Sequence, residues 1–78
     1  MIVAERDYRP LYVRVADSIT ADIENGTLAP GQVLPSEPYL MGTHGVSRGT
    51  VRAAMRELRE RGLIVTEAGK GSFVKRVG

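Results

Sequence analysis

The stretch GVSRGTVR, residues 45–52, decides the fold because it supports two incompatible readings. Its first five residues spell G-x-S-x-G, the strand-to-helix elbow that presents a serine nucleophile in α/β-hydrolases. The same letters describe a helix start, with Ser47 as cap, arginines at 48 and 52, and an apolar series beginning at Val51. A nucleophilic serine needs a base, and the single histidine, His44, precedes Ser47 in the chain. In the elbow families the histidine follows the serine. No strand-like segment leads into Gly45, and 78 residues are too few for a hydrolase sheet. Catalysis is therefore set aside, and His44 reads as a turn residue near a helix end.

From Ser47 the third helix of the chain is expected to run to about Arg61, with Val51, Ala54, Met55 and Leu58 at i, i+3, i+4 and i+7 as its core stripe. On a helical wheel Arg48, Arg52, Arg56 and Arg59 fall within about 80° of one another, beside that stripe. A helix patterned this way can lie in a groove while its back packs on the domain. Arginine suits the task, because its planar fork pairs with guanine O6 and N7 or with phosphate. The N-terminal part of such a helix reaches base edges, which makes Arg48 and Arg52 the candidate readers. Arg56 and Arg59 are expected to meet backbone phosphates or to pair with glutamates. Gly49, lacking a side chain, would let the helix approach closely. The Ser47 and Thr50 hydroxyls, with the first-turn amides, can hold a phosphate.

Charge agrees with this placement. The net charge of +2 averages a half of net −3 over residues 1–44, three arginines against six carboxylates, and a half of net +5 over residues 45–78, eight cations against three carboxylates. A polyanion-facing surface belongs to the second half. The plainer alternative is a solvated basic face with Glu57 and Glu60 pairing locally.

Upstream, Leu11, Val15, Ile19 and Ile23 recur at i+4, which predicts an amphipathic helix over 11–25 with those four residues facing the core. Pro10 is tolerated at its start, and Asn25-Gly26 supplies its exit. Pro30-Gly31 marks a turn, and Gln32 to Leu34 can form no more than a minor strand, paired with a later one. Ser36 is expected to cap a second helix from Glu37 to about Thr43, with Tyr39 and Leu40 facing inward. His44-Gly45 ends it, and Val46 is expected as a buried plug between helices.

Downstream, Gly62 ends the third helix, and strands at 63–66 and 72–77 flank Glu67-Ala68-Gly69-Lys70-Gly71, a hairpin tip with two glycines and a cation. The tip letters GKGS echo a phosphate-binding loop. That motif needs glycine where Ile64 stands and a strand-to-helix context, and neither is present. Two helices joined by a tight turn, followed by a hairpin, give a winged helix-turn-helix: mainly α with a small β-hairpin wing, in the order α, minor β, α, α, β, β. The helix-turn-helix spans about 37–56 and the wing about 63–76, within a single domain covering 1–78. The absence of cysteine excludes disulfides and thiolate metal sites, and no cofactor or metal is expected. MIVAERDYRP has no apolar leader core, and no apolar run approaches the ~18 residues of a membrane span, so a cytoplasmic protein without membrane association is expected.

The segments PLYVRVADSITADIENGTLAPGQVLPSE, GVSRGTVRAAMRELRERGLI and GKGSFV together resemble the winged helix-turn-helix domain of the GntR family of bacterial transcription regulators, over roughly Pro10 to Val74. The resemblance implies a DNA-binding regulator, usually a repressor, that sits as a dimer on short palindromes of double-stranded DNA. It implies the third helix in the major groove and the wing in the adjacent minor groove. Family contacts carry over onto Ser47, Arg48, Gly49, Thr50 and Arg52 and onto Gly69, Lys70 and Gly71; Ser36 and Arg56 complete the expected DNA-binding set. In one place the sequence departs from the family. After L-P-S-E the family usually has an arginine that touches DNA, and here stands Pro38, which cannot donate to phosphate or base. A weaker or differently specific contact is expected there, with the fold kept. The family's C-terminal metabolite-binding and dimerising domain has no counterpart in these 78 residues, so no effector site is expected, and pairing would rest on DNA or on a weak contact through the first helix and the N-terminal arm. The alternative function is a winged helix used for protein interaction without DNA binding.

Overall fold

The computed structural model describes residues 8–76, so the N-terminal arm before Tyr8 and the expected last strand position, Val77, lie outside the described residues. Three helices, α1 (Leu11–Glu24), α2 (Glu37–His44) and α3 (Arg48–Glu60), are followed by an antiparallel hairpin of β1 (Ile64–Glu67) and β2 (Gly71–Val74). This is the winged helix-turn-helix expected from the sequence.

The helix ends follow from capping chemistry. Ser36 and Ser47 are extended residues whose hydroxyls accept the amide hydrogens of Tyr39 and Thr50, each satisfying one of the orphan donors of a first turn. Pro38 sits in the first turn of α2, where its missing N–H has no intrahelical acceptor to lose. The α1 exit is closed by the Asn25 amide donating to the Ala21 carbonyl, followed by Gly26 at φ +86°; α2 ends on Gly45 in the left-handed conformation.

Among the described residues, twelve buried apolar side chains form one core: Val15, Ala16 and Ile19 of α1, Leu28 and Leu34 of the segment between α1 and α2, Leu40 of α2, Val51, Ala54, Met55 and Leu58 of α3, and Ile64 and Val74 of the hairpin. The α3 stripe is as expected. The α1 stripe differs at its start, where Leu11 is 53% exposed. An i+4 series advances about 40° per step around a helix, so its first member drifts to the rim while Ala16 and the half-buried Tyr12 complete the face against α3. Tyr39 also differs, at 62% exposed, because Leu40 and Met41 occupy the inward face of so short a helix. Val46 is only half-buried against the core.

The minor strand is a single bridge, Val33 to Phe73. Around it the amides of Gly31 and Leu34 donate to the carbonyls of Val74 and Ser72 at 2.8 Å, and the Val74 amide donates to Gln32 at 2.9 Å. Residues 31–34 thus flank β2 on the side away from β1, whose register pairs Ile64 with Val74 and Glu67 with Gly71.

A polar staple joins α1 to α3. Arg61, the C-cap of α3, donates from Nε to Glu57 at 3.0 Å and from Nη1 to Thr20 at 3.1 Å, and its Nη2 lies 2.8 Å from Asp17, which Arg9 also engages. The guanidinium is held above its ordinary pKa, first by the hydrogen bond to Glu57 and then by that to Asp17. Arg61→Ala is expected to lower the unfolding free energy by about 1 kcal/mol, read from urea unfolding at low salt. Full stability in the variant would show that water replaces all three contacts at no cost.

Candidate nucleic-acid interface

The exposed face of α3 beside its core stripe carries the arginines. Arg48, Arg52, Arg56 and Arg59 are all exposed, while Val51, Ala54 and Leu58 on the other face are fully buried. The separation arises because each residue turns the helix by about 100°, so the arginines collect in one stripe that runs beside the core stripe, with Met55 at the boundary between them.

The helix start is built for close approach. The Ser47 hydroxyl accepts the Thr50 amide and donates to Thr50 Oγ1, both at 3.2 Å, so it serves as a cap and not as a nucleophile. At Gly49 an added Cβ would meet only Ser47 Oγ, at 3.9 Å. Nothing among the described residues requires glycine there, and its bareness leaves the backbone of the first turn open. The wing tip is the second exposed element. Gly69 at φ +77° and Gly71 at φ +116° adopt a backbone that L side chains rarely take, and between them the Lys70 amide closes the turn on the Glu67 carbonyl at 3.0 Å, with its ammonium group exposed.

Between helix and wing lies a cleft of about 460 Å³, lined among others by Ser36, Arg52, Arg56, Arg59, Thr66 and Ser72. Arg59 donates from Nη1 to Thr66 Oγ1 at 2.9 Å, and Thr66 Oγ1 lies 2.8 Å from Ser72 Oγ, a cross-strand pair of the hairpin. The arginine face of α3 and the hairpin are therefore tied by a chain of side-chain hydrogen bonds.

The ion pairs invert one expectation. Arg48 and Arg52, the candidate base readers, both meet Glu37 at the start of α2: Arg52 Nε donates to Glu37 Oε2 at 3.0 Å, and Arg48 Nε lies 3.5 Å from Oε1. Arg59 finds the Thr66 hydroxyl in place of a glutamate, and Arg56 has no partner among the described residues. Local glutamate pairing occurs at Glu57, whose partner is Arg61. From the sequence Glu37 is only the first residue of the second helix, and Thr66 and Ser72 are not singled out. Their signal lay in the L-P-S-E letters and in the hydroxyl residues facing each other across the hairpin. Of the residues expected from the sequence, Ser36, Arg52, Arg56 and Gly71 line the cleft; Ser47, Arg48, Gly49 and Thr50 lie at the start of α3, and Gly69 and Lys70 lie at the hairpin turn.

Among the described residues no group of three or more His, Asp or Glu side chains could hold a metal, and no helix is long and apolar enough to cross a membrane.

Comparisons with known proteins agree with this geometry. Residues 11–74 match the model for bacterial regulatory proteins of the gntR family. The mannosyl-D-glycerate transport/metabolism system repressor MngR of Escherichia coli is 44% identical over 68 residues, 87% of this chain and 28% of the relative. The histidine utilization repressor of Pseudomonas putida is 45% identical over 65 residues, 83% of this chain and 26% of the relative. The chain thus spans about a quarter of the length of these curated relatives. Among solved structures, the DNA-binding domain of AraR in complex with operator ORE1 superposes with a TM-score of 0.83 at 36% identity, covering 94% of this chain and 89% of that one.

Proposed function

The chain belongs to the gntR family of bacterial regulatory proteins, and from that premise we propose that it is the sequence-specific, double-stranded-DNA-binding part of a transcription repressor. Helix α3 with its cap and last turn, residues 47–61, lies in the major groove, and the wing tip 69–71 enters the adjacent minor groove. Arg48 and Arg52 read bases. Ser36, Ser47, Thr50, Arg56 and Lys70 meet phosphates, and Gly49, Gly69 and Gly71 permit backbone approach. Two copies occupy a palindrome, and the protein works at the nucleoid in the cytoplasm. The observation that carries this reading is the continuous arginine stripe on the exposed face of α3, beside a buried stripe. It is supported by relatives named as repressors and by the AraR domain's operator complex. Pro38 withholds the helix-2 contact, so specificity falls more heavily on α3.

A salt titration on a palindromic duplex selected from a random pool tests it. The logarithm of the binding constant should fall linearly with that of salt, with a slope of about −0.9 per phosphate neutralised. Lys70→Ala should weaken binding to all sequences alike and reduce the magnitude of that slope by about 1. An unchanged slope removes the wing tip from the interface, and no binding to any duplex at low salt overturns the proposal.

A further inference from the structure

We infer that Glu37 is a positioning residue that sets the sequence discrimination of this interface by holding both reading arginines at once, an inference that rests on the DNA-reading proposal above. Its two carboxylate oxygens are divided between two cations on the neighbouring helix: Oε2 accepts from Arg52 Nε at 3.0 Å, and Oε1 lies 3.5 Å from Arg48 Nε. Arg48 and Arg52 stand one helical turn apart, where like charges repel and would splay the side chains. A carboxylate between them removes that repulsion and fixes the direction of both.

The atoms used matter. Each arginine approaches Glu37 through Nε, which leaves its two terminal Nη groups, the end-on pair that matches guanine O6 and N7, uncommitted. Arg52 stays 61% exposed on the side chain although it is paired, so the bond orients without hiding it. A long side chain that is already ordered loses less rotamer freedom when it docks.

The same charge works against the wrong sequence. On a duplex lacking the matching bases, arginines gain most by turning to phosphates. Glu37 holds Arg48 and Arg52 away from that alternative, and its own charge is repelled by the phosphate backbone. The carboxylate therefore widens the gap between matched and unmatched DNA from both sides.

The test is Glu37→Gln, which keeps side-chain length at the first position of α2 and removes the charge. Fluorescence anisotropy would compare a selected palindromic duplex with a scrambled duplex of equal length and composition. The matched complex should weaken about five- to tenfold and the scrambled one hold or tighten up to about threefold, so the ratio falls by about five- to thirtyfold. Unequal loss of this kind is not what a folding defect produces, and an unchanged thermal midpoint would confirm that the fold is intact. In the free protein the Arg48 and Arg52 Nε–H signals in ¹H–¹⁵N spectra should broaden toward solvent exchange in the variant, while that of Arg56 stays as it was. If the wild-type chain discriminates and Glu37→Gln discriminates equally, this inference alone is overturned. If the wild-type chain shows no preference between the duplexes, the DNA-reading proposal falls and takes the inference with it.

Discussion

Leu58→Ala should remove roughly 2–5 kcal/mol of unfolding free energy, the range for truncating a fully enclosed leucine whose surroundings relax only in part. Leu58 has no exposed surface and is, with Val51, one of the two largest fully buried side chains. It lies where α3 meets both α1 and β1, and its carbonyl accepts the Leu63 amide at 3.1 Å as the chain turns into the wing. Small domains hold about 5–15 kcal/mol in all, so the substitution spends a large part of the total. Urea unfolding followed by circular dichroism gives the value. Leu58→Met, which keeps volume, should cost less than about 1.5 kcal/mol. A loss below about 1 kcal/mol for the alanine variant would mean that α1 and the hairpin close over the gap, contrary to close-packed behaviour.

Arg52→Ala should cost roughly 1–3 kcal/mol on the preferred duplex and much less on a random one. Two effects add in the same direction. The duplex loses a fork suited to guanine, and Glu37 is left with Arg48 alone at 3.5 Å, a poorly compensated carboxylate facing DNA. Arg52→Lys should not restore discrimination, because lysine lacks the Nε donor through which Glu37 directs the side chain. Arg56→Ala is the control. With no partner among the described residues, it should weaken matched and random DNA alike. Anisotropy titrations on both duplexes separate these outcomes, and an equal loss for Arg52→Ala on both would confine Arg52 to the backbone.

Much of this molecule was legible in its letters because its signals are local. Ser36, Ser47, Asn25-Gly26 and Gly62 mark helix ends by chemistry that acts within four residues. The α3 core stripe alternates three- and four-residue steps and so tracks the helix without drift. The α1 series uses fours only, and for that reason Leu11 slid off the face it was expected to occupy. Tyr39 was misjudged because two turns of helix leave room for one inward face, already filled by Leu40 and Met41. The arginine stripe was visible, but its partners were not. Glu37 and Arg52 are 15 positions apart, and their contact depends on how α2 leans on α3. Arg59 and Thr66 meet only once the hairpin has folded back. Packing set those pairings, and no spacing rule announces them.

The segment 31–34 gives the hairpin a property that neither strand has alone. A two-stranded ribbon exposes two rows of unpaired backbone groups, each a template on which another chain could add itself. Here the row along β2 is already occupied by Gly31, Gln32 and Leu34, which leaves the short outer row of β1, ending in the charged Glu67. Resistance to strand-by-strand aggregation is thus set by a loop some thirty residues upstream, and Gln32→Pro-type changes that unseat it should show first as turbidity on concentration, before any loss of helix.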